Sequence, residues 1–480
     1  MSAKPILILQ MQRMGDLILS FPLFLWLQRE HPGHPIWVVG EPRFYEALLP
    51  VSPAATYFPW TATEQIRQTA FTLCVNLSHE RAAAALAGEV RAERRVGPVQ
   101  STSGVRRIHG PWHLYRAGLV HANRHNRFHW ADLNALDCVP LSRIAATRWP
   151  EPRTCLGDRR RIGLFLGASE PAKRPTPRFW ADLARELLHR DLRPILLGGP
   201  AERDMAAKVQ KQIGHSVLNL ADRLTLAQLA DLGQSLELLV TPDTGPMHLA
   251  AWTGLRVLNL SLGPVNPWET GPYQPGHHVL QARISCAGCW GCTHPKHPGA
   301  HHEARHATHR CHDHFLPRRV AQLVHALADP DGRGEARPRT ANGNLFLSAK
   351  TPQGLYRLNR LLPESATRSS RNMLDEFWSM FWGSSFGLWE RDKPLAAWTD
   401  LTRAFPDLAE TFIRFLFGFH RKLRQASDET FWSQGPPMLR PLYSQAHLIL
   451  QNDDFSWKSE RQILTMTEEL LRIVAGEKNL

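Results

Sequence analysis

Short apolar runs alternating with longer amphipathic stretches set the pattern of this chain. Ile6–Leu9 reads as a strand, Gln12-Arg13-Met14-Gly15-Asp16 as a turn, and Leu17–Gln28 as an apolar helix containing Pro22. Further strands are predicted at Ile36–Val39, after His-Pro-Gly-His-Pro, and at Phe71–Asn76. Residues 91–150 are rich in Arg, His and Trp but lack periodicity, which predicts loops and short helices bordering a cleft. A polar, Pro-containing linker at Pro150–Arg161 precedes a second series: strand Ile162–Leu166, helix Arg178–Arg190, strand Pro194–Leu197 with the turn Gly198-Gly199-Pro200, and a final helix near Arg318–Leu327. Within that series, residues 236–264 read as strand, tight turn, helix, turn, strand. Strand–helix alternation predicts two doubly wound α/β domains, residues 1–155 and 156–330, each with a mostly parallel sheet. A polar, Gly-containing linker at 329–345 leads to residues 346–480, a Trp-rich, mainly helical extension without strand alternation. Its stripes at helical spacing, Phe377, Trp378, Phe381 and Trp382, then Phe412, Phe415, Leu416 and Phe419, are read as core packing. The sharper alternative is a lipid-facing surface helped by Arg414, Arg421 and Lys422.

In such sheets ligands sit at the carboxyl ends of strands, so two consecutive units place a cleft between domains. Asp243, Thr244 and Gly245 end one strand, and Pro246 stands at the first position of the following helix. Thr244 or Asp243 can cap that helix, leaving first-turn N–H groups and the positive dipole end for an anion such as a diphosphate, with His248 adding a ring donor. The alternative is an ordinary capped helix. Asp16 ends the matching strand of the first domain, as a helix cap or as a general base toward an attacking hydroxyl. Gly167-Ala168-Ser169 follows the first strand of the second domain, and Lys173 with Arg174 can neutralise a diphosphate or simply be a solvated pair. Gly198 and Gly199 add another point of close backbone approach.

Composition narrows the partner. Across 480 residues, 43% hydrophobic and 21% charged content is that of a water-soluble chain, while a net charge of +13 favours an anionic partner. No base-reading module is present, which argues against nucleic acid. The run Ile6–Leu9 is too short for a secretory signal, and no segment reaches the ~20 apolar residues of a membrane span, so a cytoplasmic protein is expected. Seven cysteines, three of them isolated (Cys74, Cys138, Cys155), do not form a secreted disulfide framework. Cys286, Cys289, Cys292 and Cys311 instead stand in a Cys/His-rich loop, 286–314, whose spacing allows a structural zinc site; adventitious metal affinity or a solvated loop are the alternatives.

Taken together the motifs resemble glycosyltransferase family 9, the ADP-heptose:lipopolysaccharide heptosyltransferases. The carriers are Met14-Gly15-Asp16 with Pro22, Gly167-Ala168-Ser169 with Lys173 and Trp180, Leu197-Gly198-Gly199-Pro200, and Asn219-Leu220-Ala221 with Thr225-Leu226. Asp243-Thr244-Gly245-Pro246-Met247-His248 follows, then Leu262-Gly263-Pro264 and Thr270-Gly271-Pro272-Tyr273. The likeness spans about residues 5–325 and is strongest at Asp243–His248. It implies a GT-B fold, two Rossmann-like domains facing across a cleft. It further implies inverting transfer of a heptose from an ADP-sugar to a lipopolysaccharide inner-core hydroxyl, with no cofactor required for catalysis. Asp16 would be the base and Lys173 would stabilise the leaving diphosphate. Donor contacts would come from Gly167, Ser169, Lys173, Gly198, Gly199, Asp243, Thr244, Gly245, Met247 and His248, and acceptor contacts from Arg13 and Gly15. Arg13 stands where some members carry a small residue, so acceptor contacts are expected to differ. Peripheral contact with the cytoplasmic face of the inner membrane would suit such an acceptor. A transferase with another nucleotide sugar or acceptor, or a non-catalytic scaffold with a metal-stapled loop, are the competing readings.

Overall fold

The computed structural model describes residues 3–155, 157–214, 217–284, 286–288, 311–328, 343–361, 369–423, 431–432 and 435–476. The first sheet contains β1 (Ile6–Leu9), β2 (Ile36–Gly40), β3 (Thr56–Pro59), β4 (Ala70–Asn76), β5 (Arg91–Gln100) and β6 (Arg106–His109), in the order β3-β2-β1-β4-β5-β6. Every pairing is parallel except β5 with β6. All four residues of β1 are buried, as a central strand covered on both faces requires. The chain winds outward from β1 to β3 and then returns to β4, so the switch point lies at the carboxyl end of β1, where Gln10–Asp16 begins.

The second sheet contains β7 (Arg161–Phe165), β8 (Arg193–Leu197), β9 (Leu218–Asn219), β10 (Leu238–Pro242), β11 (Val257–Ser261), β12 (His278–Ala282), β13 (Gly343–Lys350) and β14 (Tyr356–Arg360). Their order is β14-β13-β12-β11-β10-β7-β8-β9. Here the switch point falls between β7 and β10, and the loops after those strands carry Gly167–Lys173 and Asp243–Gly245. The two doubly wound domains and the helical extension form the GT-B arrangement anticipated above.

Three local expectations change. The stretch Leu17–Gln28 is not one helix but part of two, Met14–Ile18 and Phe21–Glu30. Pro22 has no N–H to continue the first helix, and the Asp16 carbonyl is taken by Ser20 Oγ at 2.8 Å and Gln10 Nε2 at 3.3 Å instead. The start of the region read as loops and short helices is two strands, β5 and β6. Their exposed arginines hide the period-2 signal at this sheet edge, where charge blocks edge pairing. The extension likewise opens on strands, because β13 pairs antiparallel with β12 and β14 with β13.

The helices of the extension, Ser370–Ser385, Asp392–Ala404, Pro406–Leu423, Arg440–Asn452 and Trp457–Ala475, share one aromatic core with the first domain. Trp112, Tyr115 and Phe128 of that domain pack with Phe377, Trp378, Phe381, Trp382, Phe412, Leu416 and Phe419, so the core reading of the stripes holds. Phe415 is the exception, at 39% exposed. Each fully buried aromatic contributes roughly 1.5–3 kcal/mol, which is ample to dock the extension. Among the described residues no helix is long and apolar enough to cross a membrane.

Candidate active site

Asp16 occupies the third position of helix Met14–Ile18, and its Oδ2 accepts the Arg13 N–H at 3.2 Å. The capping role is therefore real, but it uses one oxygen only. Burial raises the Asp16 carboxyl above the ordinary aspartate range; Arg116 opposes the rise and Asp243, across the cleft, adds to it. A raised value makes the carboxylate a stronger proton acceptor. Arg116 was not foreseen from sequence. It is 5% exposed, donates to Leu77 O at 3.3 Å and lies over the Trp130 ring at 5.1 Å. Burial pushes its guanidinium down to about 10, with Asp16 opposing.

Across the cleft, Gly245 is the first residue of helix Gly245–Trp252 and Pro246 the second, one position later than expected. Thr244 is the N-cap but makes no side-chain cap bond. Asp243 does not cap either: its Oδ2 accepts the Thr270 hydroxyl, and its Oδ1 lies 3.9 Å from Lys173 Nζ. Pro246 lacks an N–H and the Met247 N–H donates to the Thr244 carbonyl at 3.0 Å, so what the turn offers an anion is the Gly245 amide and the positive end of the helix dipole. Lys173 Nζ is also 3.8 Å from Glu170 Oε1, and its side chain is 14% exposed. Gly263, at φ +71°, lets the backbone approach the Ala172 carbonyl, which His312 Nε2 meets at 2.8 Å; the turn bearing Lys173 is thereby pinned. Burial pushes His248 down to about 4, so its ring is neutral at pH 7, and its buried Nδ1 has no partner among the described residues.

Glycines let these two helix starts meet. A Cβ on Gly15 would stand 3.2 Å from His248 Cδ2, and one on Gly245 would overlap Met14 Cε. Beside this junction lies a cavity of about 430 Å³, bounded by Met14, Arg43 and Phe44 of the first domain and by Gly167, Ala168, Ser169, Arg174, Gly198, Gly199, Glu202, Leu224, Thr244 and Pro246 of the second. Glu202 was also not foreseen. Its side chain fills the space where Gly167 and Gly198 lack Cβ atoms, and its Oε2 accepts the Gly199 N–H at 2.9 Å. Its position three residues after Gly199 was the available signal.

Gly167, Ser169, Gly198, Gly199 and Thr244 thus line the cavity, while Asp16, Lys173 and His248 cluster around Asp243 at the junction beside it. Three candidate contacts, Met247, Arg13 and Gly15, stand outside the cavity lining. Met247 is fully buried with Phe165, Ile195 and Leu239, so its side chain is core rather than cavity wall; the first turn of the helix points it at the sheet. Arg13 reaches the second domain, donating to Ser169 Oγ at 3.1 Å while its side chain stays 68% exposed, and Gly15 faces His248. Of the candidate zinc ligands, Cys289 and Cys292 lie outside the described residues, as does most of the His run. Cys311 Sγ accepts the Gly263 N–H at 3.4 Å, and among the described residues no group of three metal-ligating side chains occurs.

Glu269, one residue before the Thr270 that holds Asp243, is 3% exposed and raised to about 8, chiefly by burial. The folded state thus keeps a proton that the unfolded chain releases near 4.5. The associated stability is complete below about 4.5 and is lost as pH rises through about 8. Glu269→Gln removes this loss: its melting temperature relative to wild type is expected to climb by about 5 °C between pH 5 and 8. Parallel melting curves across that range would show that Glu269 does not titrate as described.

The family model of glycosyltransferase family 9 (heptosyltransferase) matches residues 60–298. The lipopolysaccharide core heptosyltransferase OpsX of Haemophilus influenzae is 22% identical over 305 residues, 58% of this chain and 84% of that protein. Lipopolysaccharide heptosyltransferase 1 of Pseudomonas aeruginosa is 32% identical over 112 residues, 23% of this chain and 31% of that one. The structure of E. coli ADP-heptose lipopolysaccharide heptosyltransferase II superimposes with a TM-score of 0.50 at 19% identity, covering 68% of this chain and 98% of its own, which supports the shared fold. The chain carries the glycosyltransferase family 9 domain across residues 60–298 and is a glycosyltransferase of that family, continued by a C-terminal extension.

Proposed function

We propose that the protein transfers a heptose from ADP-heptose to a hydroxyl of the lipopolysaccharide inner core, in one displacement with inversion. The observation that carries this reading is the junction itself. A partly buried carboxylate of raised basicity, Asp16, stands on one side, and Lys173 with the open N-terminus of helix Gly245–Trp252 on the other. The cavity of about 430 Å³ suits the nucleoside, and the Glu202 carboxylate is placed to accept ribose hydroxyls. From there the diphosphate extends over the Thr244–His248 turn toward Lys173. Departure of ADP concentrates negative charge on the diphosphate, which the helix N-terminus and an ammonium offset without reorganising. Asp16 takes the proton of the attacking hydroxyl on the opposite face of the sugar. This chemistry needs no metal, because Lys173 and the helix N-terminus supply the positive charge.

The acceptor is an anionic glycolipid, and the net charge of +13 suits work at an anionic membrane surface. Phe415 and Phe417, 39% and 37% exposed on the helix that carries Arg414, Arg421 and Lys422, support peripheral contact there.

The test is a donor screen with purified protein and heptose-free, deep-rough lipopolysaccharide. Transfer from ADP-heptose with release of ADP, and none from UDP- or GDP-sugars, is the expected outcome. Turnover of a different nucleotide sugar in preference to ADP-heptose would replace the donor assignment.

A further inference from the structure

Segment Asn123–His129 of the first domain lies between turn Asn266–Gly271 of the second domain and helix Ser370–Ser385 of the extension. Toward the turn, Asn123 Nδ2 and Asn126 Nδ2 donate to the Glu269 carboxyl at 2.6 and 2.9 Å. Asn266 Nδ2 donates in return to the carbonyls of Asn123 and Asn126, at 3.0 and 2.9 Å. His129 Nδ1 accepts the Ala131 N–H at 3.2 Å, so its Nε2 carries the proton and donates to Gly271 O at 3.0 Å. The Arg127 guanidinium covers the Trp268 ring at 4.1 Å. Toward the extension, Asp375 pairs with His125 Nδ1 at 2.6 Å and accepts from Arg127 at 3.2 Å. Asn123, His125, Asn126, Asn266, Glu269 and Asp375 are each at most 6% exposed.

Buried polar groups satisfied in a single arrangement specify that arrangement, because any shift strands one of them without water. An extension held by its aromatic core alone would steady the first domain only. Asp375 instead grips the segment that grips the second domain, and Thr270 of that same turn bonds Asp243 beside Lys173.

We infer that the C-terminal extension positions the donor site: Asp375 sets Asn123–His129, that segment sets Asn266–Gly271, and Thr270 there orients Asp243 against Lys173. This rests on the proposed reading of the Asp243 turn as the diphosphate site. Asp375, Glu269 and Thr270 are positioning residues, since each acts through protein partners: His125 and Arg127, Asn123 and Asn126, and Asp243. Displacements well under 1 Å at Lys173 would misplace the charge it presents, the usual sensitivity of preorganised sites.

The test is ADP affinity of the full-length chain, by titration calorimetry, in Thr270→Val, Asp375→Asn, the double variant and Lys173→Ala. Thr270→Val removes only a hydroxyl. Each positioning variant is expected to weaken ADP binding about 3- to 30-fold, with the double variant losing less than the product of the two. Weakening by Lys173→Ala with no change in Thr270→Val and Asp375→Asn overturns the inference alone, as do losses that multiply independently. An unchanged affinity in Lys173→Ala overturns the donor-site reading and the inference with it. Should Asp375→Asn fail to fold, hydrogen exchange of the wild-type chain decides. ADP is then expected to slow exchange in 123–129 and 370–385 more than in helix Trp457–Ala475, and equal slowing overturns the inference.

Discussion

Asp16→Asn is expected to lower kcat/KM by about 10²- to 10⁴-fold, the usual contribution of a positioned general base, while ADP affinity stays within about twofold. Asn rather than Ala is the informative choice. Its side-chain oxygen still accepts the Arg13 N–H, so the cap survives and only the basic function is removed. Asp16 stands on the first-domain side of the junction, opposite the Lys173 and Asp243 side read as the diphosphate site, which is why binding of ADP is spared. Rate and pH should change together. Burial raises the Asp16 carboxyl, so the acid limb of the wild-type kcat/KM profile lies above the ordinary aspartate range, and this limb is absent from the residual activity of the variant. Simultaneous loss of ADP binding and transfer would instead make Asp16 a structural cap.

Lys173→Ala is expected to lower kcat by about 10²- to 10³-fold and to weaken ADP binding by about tenfold, because it removes the ammonium that stands beside Asp243 at the junction. The ammonium stands between Glu170 and Asp243 at 3.8 and 3.9 Å, near enough to be held and too far for tight pairing, so a diphosphate can recruit it. Its charge matters most as ADP departs, which places the larger loss in kcat. Lys173→Arg should recover only part of that loss, since a planar fork on a longer side chain cannot occupy the same point. Steady-state kinetics with varied donor separate the two effects. A variant with raised KM and unchanged kcat would show that Lys173 binds donor and transition state equally.

Much of the site could be read in the sequence because its parts are local. Asp243 through His248 form a strand end, a turn and a helix start within six residues, and Gly15-Asp16 form the same kind of unit in the other domain. What failed was local too, in a different way. β5 and β6 escaped because arginines on an exposed edge mask alternation, and Pro22 was placed inside a helix when it stands in the first turn of a second one. Met247 sits inside a recognisable motif, yet its place in the first turn turns it toward the sheet, where it is fully buried. Arg116 and Glu202 carry no signature of their own, since their importance depends on Asp16 and on Gly167 and Gly198 reaching them from distant segments.

By itself the sequence determined the strand–turn–helix units, the two doubly wound domains, and the family to which the motifs point, because short-range periodicity and turn chemistry specify each of these. Only the tertiary structure decided that Gly15 meets Gly245 and His248, that Asp16 is desolvated, and that the extension reaches both domains through β13, β14 and Asp375. Burial, pairing across a domain junction and the resulting shifts in basicity depend on which distant surfaces come together, and no local pattern encodes that.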